Sequence, residues 1–184
     1  MKHRLLPLPL LVVALDQWSK WWVERELAPY EAIPVVPGFF SISHVTNTGI
    51  AFGLLPSHGD GFGTFMLVLL GLLALLIVSV YFWRAPASQK LLLCALALIM
   101  GGAVGNLVDR ILLHAVTDFL DVYVGSYHWP TFNVADSAIT VGIGLLALET
   151  MRAAPAQSSE ADLREEDGGT QRASDLGRAV AGGS

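Results

Sequence analysis

The chain has 184 residues, 53% of them hydrophobic and 15% charged, with a mean hydropathy of +0.55. That composition excludes an ordinary soluble domain and points to one compact membrane-embedded bundle. The formal charge of -5 sits largely after residue 154, so the body is near neutral and offers no basic surface for nucleic acid. Cys94 is the only cysteine, which excludes an intramolecular disulfide and a cysteine-based zinc site. The five histidines, at 3, 44, 58, 114 and 128, form no HExxH pair.

Four apolar runs follow one another along the chain. The first, about Leu5 to Val23, is interrupted by Asp16, Gln17, Ser19 and Lys20. Its start also resembles a signal peptide cut after Ala14. The apolar character continues to Val23, however, which a mature soluble start would not need. A loop of about 24–61 comes next. Within it Phe40 to Thr46 alternates apolar with polar, the pattern of a half-buried strand, and Pro34, Pro37 and Gly38 punctuate its entry. The second run, about Phe62 to Trp83, carries no charge, and neither does the third, Leu91 to Val108. A second loop spans about 110–131. The fourth run, about Val134 to Leu148, has Asp136 near its start. A spanning helix needs about 20 apolar residues; the second and third runs meet that length, and the other two complete a predicted all-α, four-span bundle. A small β-sheet is expected in the first outer loop. Residues 1–154 form the expected membrane domain. From Pro155 to Ser184, six Asp/Glu and three Lys/Arg stand among Ala, Gly and Ser, which predicts a disordered cytoplasmic tail.

Lys and Arg in the short flanks set the orientation. Lys2, Arg4, Arg84, Lys90 and Arg152 all fall on one side of a four-span frame, the cytoplasm, so both termini are expected there. The loops 24–61 and 110–131 then face outward, with Trp18, Trp21 and Trp22 as an outer belt and Trp83 at the inner interface. Asp16 lies about 9 Å below that outer belt at helical rise. Asn106, Asp109, Asp118 and Asp136 all come to the same outer face, while Glu149 stays at the inner end. Ionisable groups at membrane depth are costly and are usually kept for function.

Asp118 and Asp136 are the candidates for a catalytic pair. Two adjacent carboxylates do not both ionise cheaply, so one holds a proton and the other stays charged. The charged one can deprotonate water while the protonated one polarises a carbonyl. The bland alternative is a helix cap or an ion pair with Arg110; Asn133-Val-Ala-Asp136 reads as a helix start with an acid in its first turn. Gly101 and Gly105 make a small-xxx-small face for close helix packing. Asn106 and Arg110, four apart, share a helix face: Asn106 could orient a carbonyl or an aspartate, and Arg110 could pair with an acid or a lipid phosphate. Asp16 and Lys20, also four apart, could simply pair with each other. Asn47-Thr-Gly-Ile-Ala-Phe-Gly53 is a turn by propensity.

Taken together the motifs are specific. Asp16-Gln-x-Ser-Lys20, Asn47-x-Gly-x-Ala-Phe-Gly53, Gly101-Gly-x-x-Gly-Asn-x-x-Asp-Arg110, Val116-x-Asp-Phe119 and Phe132-Asn-x-Ala-Asp-Ser137 occur in this order on the frame. Over about residues 10–150 the chain resembles the bacterial lipoprotein signal peptidase family, signal peptidase II. The resemblance implies an aspartic endopeptidase of the inner membrane that cleaves prolipoproteins just before a diacylglyceryl-modified cysteine. It places the catalytic aspartates on Asp118 and Asp136. It gives Asn47, Asn106, Arg110 and Asn133 supporting or substrate-binding positions, and makes Asp16, Lys20, Gly105 and Asp109 structural supports. It implies no metal or other cofactor, and a monomer among membrane lipids. Thr117 departs from the valine expected before the catalytic aspartate.

Other classes fit less well. A proton-coupled transporter would place acids near the midplane or on both sides and would show internal repeats. A scaffold needs no acid pair. A metalloprotease lacks its clustered ligands, and the Tyr-Asp and Gly-x-Gly-Asp contexts of presenilin-type proteases are absent.

Overall fold

The computed structural model describes residues 2–49 and 61–152. The expected tail at 155–184, and the end of the Asn47–Gly53 motif, lie outside the described residues. The stretch up to Leu146 forms one compact unit, and the site lies wholly within it.

All four apolar runs are helical. A 3-10 turn, Lys2–Leu5, leads into α1, Pro7–Glu26. Pro7 sits at the helix start, where its missing N–H costs nothing. Next come the strands β1, Ala32–Val36, and β2, Phe40–Asn47, then α2, Phe62–Arg84, and α3, Lys90–Leu112. Strands β3, Val116–Val124, and β4, Tyr127–His128, follow, and α4 runs over Val134–Arg152. Three of the helices, α2, α3 and α4, are long and apolar enough to cross a membrane, at hydropathies of 2.8, 2.3 and 1.5. The helix α1 is as long but carries the polar insertions.

The sheet is antiparallel in the order β1-β2-β3-β4. The hairpin between β1 and β2 turns at Gly38, whose φ of +80° suits glycine. Strand β2 then pairs with β3, setting Val45 opposite Asp118 and Asn47 opposite Val116. Here the structure corrects the expectation of a sheet confined to the first outer loop: half its strands come from the second. The reason is burial. From Val116 to Phe119 every residue of β3 is buried, so the run shows no alternation between a wet and a dry face.

Helix α3 is the axis of the bundle. It touches both α1 and α2 and buries residues along its whole length. A Cβ on Gly101 would lie 2.7 Å from Cβ of Val12, and one on Gly105 would lie 2.6 Å from Oδ2 of Asp16. The small-xxx-small face thus brings α1 against α3. At the far end Phe82, Ala85, Leu92, Leu93, Leu96 and Ala97 form the apolar core.

Candidate active site

The site grows from a buried cation. Lys20 on α1 is 2% exposed, with Asp16 at 0% and Asp109 at 3%. Its Nζ lies 2.8 Å from Oδ2 of Asp16, one turn earlier, and 2.8 Å from Oδ2 of Asp109 on α3. The remaining carboxylate oxygens are also occupied: Gln17 donates to Asp109 Oδ1 at 2.7 Å, and the Ala135 N–H donates to Asp16 Oδ1 at 2.8 Å. A buried ion cluster holds only when its lone pairs are satisfied in this way. Through Ala135, the same cluster fixes where α4 begins.

Two aspartates stand beside it. Asp118, on β3, is 2% exposed. Its Oδ2 accepts from Asn47 Nδ2 at 2.8 Å and its Oδ1 from Asn133 Nδ2 at 2.7 Å. Burial pushes its carboxyl up to about 6; the Asn47 hydrogen bond opposes this, the Asp136 charge adds to it, and Asn133 and Lys20 oppose it further. Asp136 is half-buried in the first turn of α4, and its Oδ1 accepts from Asn106 Nδ2 at 2.7 Å. Its backbone N–H donates to Asn133 Oδ1 at 2.9 Å, so Asn133 is the N-cap of α4. The stretch is thus a helix start, as read from the sequence, with Asn133 as its cap and Asp136 in the first turn. Asn133 Nδ2 also reaches Asn106 Oδ1 at 3.2 Å, which links the two carboxylates through two amides.

Each amide is oriented by a partner that can only donate. The Gly49 N–H meets Asn47 Oδ1 at 2.8 Å, which turns the Asn47 NH2 toward Asp118. The Asp136 N–H does the same for Asn133. Asp136 opens into a cleft of about 530 Å³ lined by Trp129, Phe132, Ser137, Thr140 and Val141.

Nearly all the residues singled out from sequence converge here: Asp16, Lys20, Asn47, Asn106, Asp109, Asp118, Asn133 and Asp136, with Gly105 as the close-approach point. Arg110 is the outlier. Its Nη1 donates to the Asn106 carbonyl at 3.3 Å, it makes no ion pair among the described residues, and it lines a separate cleft of about 270 Å³ with Thr64, Phe65 and His114. Two residues were missed. Gln17 sat inside a quoted motif without a role, and its contact to Asp109 requires the α1–α3 packing. Thr117 uses its hydroxyl, donating to Glu24 Oε1 at 2.6 Å; its difference from valine was the available signal.

A family model described as signal peptidase (SPase) II matches residues 8–152. The chain is 46% identical over 148 residues to the lipoprotein signal peptidase of Geobacter metallireducens, covering 80% of this chain and 90% of that one. It is 44% identical over 142 residues to the Solibacter usitatus protein of the same name, covering 77% and 87%. The fold is similar to a solved bacterial membrane enzyme structure at a TM-score of 0.72 and 27% identity, covering 82% of this chain and 94% of that one. A second such structure has a TM-score of 0.68 and 29% identity, covering 82% and 88%. Every residue of the buried cluster and of the aspartate pair falls within the matched stretch, and the chain belongs to the signal peptidase II family.

Proposed function

We propose that this protein is an intramembrane aspartic endopeptidase that removes the signal peptide from prolipoproteins, cutting just before a diacylglyceryl-modified cysteine. The observation that carries the reading is the junction of Asp118 and Asp136 through Asn106 and Asn133. It joins a buried carboxyl to a half-buried one that faces an open cleft. The relatives' name, lipoprotein signal peptidase, supports the substrate class.

Water held between the two carboxyl groups loses a proton to the ionised one and attacks the scissile carbonyl. The other carboxyl donates its proton to the developing oxyanion. The tetrahedral intermediate collapses, and the pair returns a proton to the leaving amine. No metal and no acyl-enzyme enter this scheme. With Asp118 pushed up to about 6, one titration of the pair lies close to neutral pH, as shared acid–base work needs. The amides of Asn47, Asn106 and Asn133 hold the carboxylates in register. Arg110, apart from the pair, faces substrate or lipid.

The membrane reading follows the same logic. In α1, Asp16 and Lys20 are buried while Leu10, Leu11, Leu15 and Trp18 are exposed, which supports α1 as a fourth span, polar toward α3 and apolar toward lipid. The site then lies near the outer face of the inner membrane, with both termini cytoplasmic and a single copy sufficient. Asp118→Asn and Asp136→Asn variants test the proposal: each is expected to stay folded in the membrane and to lose cleavage. Substantial turnover by either removes that residue from the pair.

A further inference from the structure

Among the described residues, Lys20 is a buried cation with one bond that leaves the ion cluster. Lys20 has three N–H donors and three acceptors: Asp16 Oδ2 and Asp109 Oδ2, each at 2.8 Å, and Asn106 Oδ1 at 3.1 Å. Two carboxylates already more than balance its charge. The third bond goes to a neutral amide, the one that touches Asp136.

We propose that Lys20 is a positioning residue for the aspartate pair, fixing the Asn106 amide so that its N–H faces Asp136. An ammonium group donates and never accepts, so the atom of Asn106 turned toward Nζ must be the oxygen. The NH2 group then has one direction left, and Asp136 Oδ1 lies there at 2.7 Å. A flipped amide would set NH2 against NH3+ and C=O against a carboxylate, two repulsive contacts, the first of them buried from water. The oxygen that Lys20 holds also accepts from Asn133, the donor to Asp118 Oδ1. One buried cation thereby sets the polarity of the Asn106 amide, whose oxygen is then the acceptor that Asn133, itself oriented by the Asp136 N–H, requires. The charged groups that act on Lys20 are Asp16 from α1 and Asp109 from α3, both in contact, and Asp118 from β3 through its field; Asp118 in turn feels Asp136 from α4.

The inference rests on the proposed role of Asp118 and Asp136, so the Asp118→Asn variant is assayed alongside. Lys20→Met alone strands two buried carboxylates. The test variant is therefore Lys20→Met/Asp109→Asn, which removes one charge of each sign. Purified in detergent, it is assayed on a diacylglyceryl-modified prolipoprotein, with turnover normalised to folded protein. The expected result is kcat lower by about 10- to 100-fold, the size of one charge-assisted hydrogen bond, with KM nearly unchanged. The acidic limb of kcat/KM is expected to move to higher pH. In an Asn106→Ala background the same pair of changes should add little further loss. Unchanged kcat, or losses that multiply in that background, would overturn the proposal. A second variant keeps the question open to refutation should the first not fold. Asn106→Asp keeps an oxygen for Lys20 but removes the N–H toward Asp136. It should fold and lose turnover, and normal cleavage by it would overturn the proposal too. Turnover by Asp118→Asn would instead refute the underlying acid pair, whatever the Lys20 variants do.

Discussion

Helices α2 and α3 have the same length, 23 residues, yet they occupy opposite places. The more apolar α2, at hydropathy 2.8, is buried over only 6% of its most apolar window; α3, at 2.3, is buried over 56%. Hydropathy therefore identifies helices suited to lipid, but it does not say which one lies at the centre. What draws α3 inward is polar chemistry at its C-terminal end. Asn106 and Asp109 find partners on α1, β3 and α4, and a helix that supplies such partners cannot face lipid.

This contrast can be broken in graded steps. The largest effect is expected from Lys20→Met. It leaves Asp16 and Asp109 facing each other without a cation, a loss of about 3–5 kcal/mol that thermal unfolding in detergent would register. Gly105→Ala comes next. The new methyl meets a carboxylate held at both oxygens, 2.6 Å away, and overpacking of that kind costs about 1–3 kcal/mol. The matched change on α2, Gly71→Ala, meets only the flexible tip of Leu107 at 2.8 Å and should cost less in the same melt. If the two glycines behave alike, the centre of the bundle is no more rigid than its rim.

Smaller effects sharpen the picture. Asn47→Ala removes a hydrogen bond that lowers the Asp118 carboxyl, so the titration near pH 6 should move to higher pH in a kcat/KM profile. The sign for stability also follows. Asp118 binds its proton more tightly folded than unfolded, so its burial weakens the fold progressively as pH rises from about 4 toward 6, and little further above that. Thr117→Val should cost about 0.5–1.5 kcal/mol, because Glu24 at the other end of the lost bond is exposed and rehydrates. Leu70→Ala, on the exposed face of α2, should change unfolding by no more than about 0.5 kcal/mol.

Much of this was legible in the residues, for identifiable reasons. The apolar runs marked the helices because lipid and core both select for length and hydropathy. Their ends were set a turn short where Asp109 and Arg110, or Glu24 and Glu26, continued a helix in polar form. The Asp16–Lys20 pair was visible from its four-residue spacing, a local property. Its third member, Asp109, was not, since only the packing of α1 on α3 at Gly105 brings it there. Strand β2 showed itself by alternation. Strand β3 did not, because its acids lie within a run buried on both faces. The bond from Asn47 to Asp118 depends on a register between strands 71 residues apart, which no single-chain pattern encodes.

The most direct measurement is cleavage of a diacylglyceryl-modified prolipoprotein by the purified protein, with the unmodified precursor and the Asp136→Asn variant in parallel. Cleavage of the modified form alone, lost in the variant and unaffected by EDTA, is the predicted result. No cleavage of either precursor by protein shown to be folded, or full activity in Asp136→Asn, would contradict it.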